Sequence, residues 1–321
     1  MYEPMRSRYV SALNRIWRAL RYMRWPEAPP LHRDEQFEPF FIVGSGRCGT
    51  TLLRRLLMES SEAHIPPENW RLKDVIPCFK RYRWTVEWND LSRLAVNYFA
   101  HQGEYNPDKT INKWFDGRSL KPLIDELEAI PSEEQSLARL IDHLYRYHGR
   151  VRETKVLRWG DKTPLNVWNM NQISEVFPDA KFVHLLRDGT DVAASFINAG
   201  PPSLRESALR WKSAVEAARH FMQEHPARCI EIRYEDLVSQ PTSSVRDICD
   251  YLSLRFLDSR DGIPSSENME EVSKLQFHEN VFEPVSSESV GKGHRRLSEK
   301  QKAEIQNLIG RELECYGYAT P

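Results

Sequence analysis

Phe40-Phe41-Ile42-Val43-Gly44-Ser45-Gly46-Arg47-Cys48-Gly49-Thr50-Thr51-Leu52-Leu53 is an apolar run that breaks into glycines and then resumes at helical spacing. The run reads as a buried strand, the glycines as a tight loop, and Leu52, Leu53, Leu56 and Leu57 as one face of a helix over Thr50–Ser60. Gly44 and Gly49 stand at the spacing of a phosphate-cradling loop, where backbone N–H groups and a helix N-terminus point at an anion. Thr50 occupies the place of the usual lysine, and the cation of the loop is Arg47, ahead of the helix rather than on its first turn. The expected ligand is an anion other than ATP. Cys48 reads as a small residue that fits the turn, with no resolving cysteine nearby to make it a redox thiol.

Three further strands are expected at 155–159, 181–186 and 229–234, and helices at 203–224, 242–253 and 298–315. Strands alternating with helices predict an α/β fold with a mostly parallel sheet covered on both faces. Ligands of such sheets gather at the carboxyl ends of the strands, which is where Gly44–Thr51, Arg187 and Tyr234 fall. Residues 62–155 differ in texture, aromatic and charged and without an obvious strand. They read as a helical insertion whose tryptophans, Trp70, Trp84, Trp88 and Trp114, pack between helices or wall a pocket.

The chain has 321 residues, 28% of them charged, and a net charge of −1, so no general basic excess advertises nucleic-acid binding. Five scattered cysteines without ligand spacing argue for a reducing compartment and against a zinc site or disulfide framework. No apolar run is long enough to span a bilayer and no signal peptide is visible, which makes the cytoplasm the expected location. Residues 1–36 are expected to form a basic amphipathic helix, with six arginines within 1–25, and a Pro-rich linker; residues 37–321 are expected to form one domain. The N-terminal helix suits either an anionic membrane surface or packing on protein, and a homodimer is left open.

A second strand-turn-helix junction follows at Arg187-Asp188-Gly189-Thr190-Asp191. Arg187 offers a planar donor fork suited to phosphate, Ser195 a hydroxyl further along the helix, and Asp188 or Thr190 a helix cap.

The two junctions together resemble the sulfotransferases that use 3′-phosphoadenosine-5′-phosphosulfate, PAPS. Arg47-Cys48-Gly49-Thr50-Thr51 is similar to the loop of the bacterial and tyrosylprotein branches, and Tyr234-Glu235-Asp236-Leu237 to a segment whose tyrosine meets the adenine. The resemblance implies a P-loop NTPase-like three-layer fold of the sulfotransferase type and PAPS as donor. It implies that Ser45, Gly46, Arg47, Cys48, Gly49, Thr50 and Thr51 hold the 5′-phosphosulfate, and that Arg187 and Ser195, eight residues apart, hold the 3′-phosphate. Glu68, 21 residues after Arg47, is placed as the catalytic base, with Trp70 and Arg71 beside the acceptor. Arg47 and Lys162 are placed as stabilisers of negative charge, and Asp161 as an orienter of Lys162 or a helix cap. A basic loop holding Lys292, Gly293 and His294 is expected to close over the nucleotide, although His294 stands where relatives often carry Trp. His184 reads as a hydrogen-bonded core residue. No metal is expected. The acceptor is a hydroxyl compound: a sugar, phenol, polycyclic natural product, lipid or peptide. The rival readings are a P-loop kinase or hydrolase and a non-catalytic nucleotide-binding adaptor.

Overall fold

The computed structural model describes residues 28–100, 114–115, 120–152, 154, 156–198, 202–257 and 284–318. The basic helix expected over 1–25 lies outside them. In chain order the elements are β1 (Phe40–Val43), α1 (Thr50–Ser60), β2 (Ala63–His64), α2 (Leu72–Tyr82), α3 (Trp88–Ala100), α4 (Leu120–Glu128), α5 (Leu137–Arg150) and β3 (Arg158–Lys162). A 3-10 turn (Pro164–Asn169) leads to α6 (Met170–Val176), β4 (Lys181–Leu186), α7 (Gly189–Asn198), α8 (Leu204–Glu224), β5 (Cys229–Arg233), α9 (Tyr234–Ser239) and α10 (Pro241–Leu252). The short α11 (Lys292–Arg296) and α12 (Glu299–Cys315) follow.

The strands form one parallel sheet in the order β2-β3-β1-β4-β5. Its centre is β1, whose four residues are all fully buried. Their alternation splits the core: Phe41 and Val43 join an apolar cluster with α2 to α6, while Phe40 and Ile42 join a second cluster with α1, α7, α10 and α12. Each such side chain contributes roughly 1.5–3 kcal/mol. The long helices begin where the local chemistry allows. Ser203 with Glu206 and Ser298 with Gln301 form capping boxes at α8 and α12, and Ser136 caps α5.

Two strand boundaries differ from the sequence reading. The third long strand is displaced from 155–159 to Arg158–Lys162, and β2 lies in a stretch with no strand pattern. Gly160-Asp161-Lys162 does not look like a strand, yet the Phe40 ring packs directly on Gly160: a Cβ there would sit 2.3 Å from that ring. Asp161 is 1% exposed and accepts from Tyr145 Oη (2.7 Å), Thr163 Oγ1 (3.2 Å) and Asn166 Nδ2 (2.9 Å). It neither orients Lys162 nor caps a helix; it ties α5 to the end of β3. Burial pushes its carboxyl up to about 6, against the pull of these donors.

Where β2 meets α5, His64 Nε2 and His148 Nδ1 lie 2.9 Å apart, both rings buried. Burial, reinforced by Arg54 and Arg152, holds His64 down to about 3, and burial holds His148 well below its ordinary value. An unfolded imidazole titrates near ~6.5. Below that pH the unfolded chain takes up protons that the folded pair refuses, so stability falls as pH falls. Urea unfolding of wild type between pH 6.5 and 4 should therefore lose stability more steeply than His148→Gln, by up to ~1.4 kcal/mol per pH unit for one proton. Equal slopes would contradict this.

Candidate active site

Parallel register brings the carboxyl ends of four strands together. Ile42 pairs with Lys162, Val43 with His184, and Leu186 with Arg233, so that the loop after β1, Lys162, Arg187 and Tyr234 all emerge at one edge. The loop is folded by positive φ at Gly46 (80°), Arg47 (55°) and Gly49 (98°). At Gly49 a side chain is excluded twice over, by φ and by the Tyr234 ring 2.5 Å from a Cβ position. For Arg47 the left-handed conformation costs about 1–2 kcal/mol. It is held by Arg187 Nη1 donating to the Arg47 carbonyl (3.2 Å) and by Arg47 Nε donating to Ser195 Oγ (3.2 Å). Gly49 leads into α1 with no side-chain cap and no acid in the first turn, leaving the helix N-terminus to an external anion. Cys48 is buried beneath the loop, and burial pushes its thiol up, as befits a packing residue.

A cavity of about 590 Å³ opens over this edge, within the range of small-molecule sites. Its walls include Gly46, Arg47, Gly49, Thr50 and Thr51 of the loop, Arg187 and Ser195, Tyr234, Lys292 and Gly293, and on another side Glu68 and Trp70. Glu68 is held from both oxygens: Lys162 Nζ donates to Oε2 (2.9 Å) and the Trp70 indole N–H to Oε1. Lys162 Nζ also lies 3.4 Å from Thr51 Oγ1. The segment carrying Glu68 is fastened by Trp114 Nε1 donating to the Pro67 carbonyl (2.9 Å) and by Asn69 N–H donating to Thr163 Oγ1 (3.3 Å). Those anchors come from the helical insertion and the end of β3.

At the other end the Arg187 guanidinium lies 4.4 Å from the Tyr234 ring centroid and donates through Nη2 to the Ser289 carbonyl (2.8 Å). Its Nε is buried and has no hydrogen-bond partner among the described residues. Burial, then the charge of Arg187, lowers the Arg47 pKa. Asp188, one of the two expected caps, does cap α7: Oδ1 accepts from Thr190 N–H (2.7 Å). The turn α11 is stapled onto that helix by Asp191, which accepts from Gly291 N–H (2.8 Å) and Gly293 N–H (2.6 Å), and by His294 Nε2, 3.0 Å from Asp188 Oδ2. The basic segment expected to be a loop is thus a helical turn pressed on α7.

The remaining expected residues lie behind the wall. Arg71 pairs with Asp74 (3.0 Å) on α2, Ser45 is buried, and His294 faces Asp188. His184 is buried against Glu231 (2.9 Å), as expected of a core residue. Sequence reasoning missed Arg210, Asp191 and Phe196 on the cavity wall, and Arg296 beside Lys292. Only Arg296 had a signal, the basic run 292–296.

The sulfotransferase family model matches residues 39–258. The omega-hydroxy-beta-dihydromenaquinone-9 sulfotransferase of Mycobacterium tuberculosis is 26% identical over 261 residues, covering 67% of this chain and 63% of that protein. The chain thus spans somewhat less than two thirds of that relative's length. Protein-tyrosine sulfotransferase 1 of Danio rerio is 25% identical over 143 residues, 41% of this chain and 40% of that one. Among solved structures, the sulfotransferase domain of a Synechococcus olefin synthase superposes with a TM-score of 0.60 at 18% identity, covering 90% of this chain and 98% of that domain.

The hydrogen bond to Asp188, opposed by partial burial, raises the His294 pKa. The contact therefore stabilises fully below ~6.5 and is lost as pH rises through the raised folded value. His294→Ala should cost up to about 1 kcal/mol at pH 6 and nearly nothing at pH 9 in urea unfolding, with the partial exposure of both groups limiting the effect. A cost independent of pH would contradict it.

Proposed function

The chain belongs to the sulfotransferase family, and from that premise we propose that it moves a sulfuryl group from PAPS to a hydroxyl oxygen of an acceptor. The observation that supports this best is the position of Lys162, whose single ammonium touches Thr51 on the anion loop and Glu68 beside it. Sulfuryl transfer needs a cation where charge grows on the leaving phosphate and a base next to the attacking hydroxyl, within reach of one another.

The residues fit a donor with two separate anionic ends. The uncapped start of α1, with Ser45 to Thr51, suits the 5′-phosphosulfate. Arg187, whose buried Nε has no partner among the described residues, suits the 3′-phosphate together with Ser195, and Lys292 lies on the same wall. Tyr234, already faced by Arg187, suits the adenine. Bound there, PAPS supplies a sulfur joined to a phosphate leaving group. Glu68 takes the proton of the acceptor hydroxyl as the new S–O bond forms. Arg47 and Lys162 meet the charge on the departing oxygen. Trp70 orients the Glu68 carboxylate and presents an exposed face to the acceptor, and Arg71 supports the same segment through Asp74. Gly293 lets α11 lie flat on α7, where a Cβ would come within 2.6 Å of the Thr190 carbonyl, and His294 acts on the donor end only through Asp188. The relatives are named for an omega-hydroxy menaquinone and for protein tyrosine, and a hydroxyl acceptor is the class carried over.

Glu68→Gln should lower transfer of labelled sulfate by ~100- to ~10,000-fold while keeping its affinity for adenosine 3′,5′-bisphosphate. Arg187→Ala should still fold, with a stability loss of about 1–3 kcal/mol from the carbonyls it leaves unbonded, yet bind that bisphosphate at least ~10-fold more weakly in calorimetry. Equal donor binding by Arg187→Ala and wild type would remove the second anion site.

A further inference from the structure

The cations of the cavity differ in what already occupies them. Arg47 donates to Ser195, Arg187 to two backbone carbonyls, and Lys162 to Glu68. Arg210, on α8, makes one hydrogen bond among the described residues, its Nε donating to the Ser45 carbonyl at 3.1 Å. Its two terminal nitrogens have no hydrogen-bond partner among the described residues. That anchor holds the guanidinium between two rings. It lies 5.2 Å from the Phe196 ring centroid and 5.8 Å from that of Trp168, with Nη2 3.6 Å from the position a Cβ would take on Gly46. A half-buried, oriented fork with two unmade bonds matches an oxyanion that takes both at once.

Position decides which oxyanion. Arg210 and Glu68, the residue assigned to the acceptor hydroxyl, line the same cavity, and Arg210 feels the charge of Glu68 first and that of Cys48 beneath the loop second. Beside it are the rings of Phe196 and Trp168, and Trp70 stands on the wall of the same cavity; the two tryptophans are 40% and 41% exposed. Resting on the sulfuryl-transfer reading above, we infer that Arg210 anchors an acidic group on the acceptor, so that the acceptor is a hydroxyl compound with an aromatic or apolar body and its own carboxylate or equivalent anion.

The test compares matched acid and amide acceptors on the full chain saturated with adenosine 3′,5′-bisphosphate. One pair is 4-hydroxyphenylacetate and 4-hydroxyphenylacetamide; the other is 16-hydroxyhexadecanoate and its amide. Binding is read by tryptophan fluorescence and calorimetry, and transfer from labelled PAPS gives kcat/KM. In at least one pair the acid should be favoured by ~10-fold or more, the value of a charge-assisted bond. Arg210→Gln should bring that ratio to within ~2-fold of one, Arg210→Lys should restore part of it, and neither should change affinity for the bisphosphate. Acids no better than amides in both pairs would overturn the inference and leave the sulfotransferase reading standing. A ~10-fold loss of bisphosphate affinity in Arg210→Gln would also overturn it, by assigning the fork to the donor. Wild type that binds no bisphosphate would instead overturn the sulfuryl-transfer reading itself, and the inference with it.

Discussion

Crowding cations into one half-buried cavity is the constraint around which this structure is arranged. Arg47, Arg187, Arg210, Lys292 and Arg296 share its walls and Lys162 lies just beneath, in a chain whose net charge is −1. Like charges in a poorly solvated space repel, and burial first, then the charge of Arg187, lowers the Arg47 pKa. The fold offsets the cost with neutral acceptors as well as counter-charges: the carbonyls of Ser45, Arg47 and Ser289 each take a guanidinium N–H, while Asp191 lies 3.7 Å from Arg187 and Glu68 2.9 Å from Lys162. Because a carbonyl satisfies geometry without cancelling charge, those contacts leave the guanidinium charges in place.

The two acids on the cavity wall have separate duties. Asp191 binds the backbone of α11, fixing the turn that carries Lys292 and Arg296, and also pairs with Arg187 at 3.7 Å. Glu68 stays at the wall, with both oxygens directed by Lys162 and Trp70. Rigidity at Glu68 comes from deeper layers. Asp161 joins Tyr145, Thr163 and Asn166, Thr163 in turn meets Asn69, and Trp114 holds Pro67. The buried aromatic packing between the insertion and β3, with Tyr145 stacked on Trp159 at 3.9 Å, is what keeps these polar links in place.

Local sequence was enough to determine the α/β character, the anion loop and the turn at Arg187, because a strand, a glycine turn and a helix start are fixed by neighbours in the chain. The family resemblance added Glu68 and Lys162, which cavity geometry then brought to one wall and its floor. The displaced β3 was not legible, since Gly160 and Asp161 are poor strand residues that only the Phe40 ring and the Asp161 network make suitable. Arg210 was not legible either: on a helix with Lys and Arg at many positions, nothing local separates it from a solvated charge. Its role depends on a carbonyl 165 residues away. Contacts between distant segments carry no signature in either segment alone, so the glycine turn between β1 and α1 was written in the sequence, while the choice of which charged side chains face the cavity belonged to the packing of the sheet and its helices.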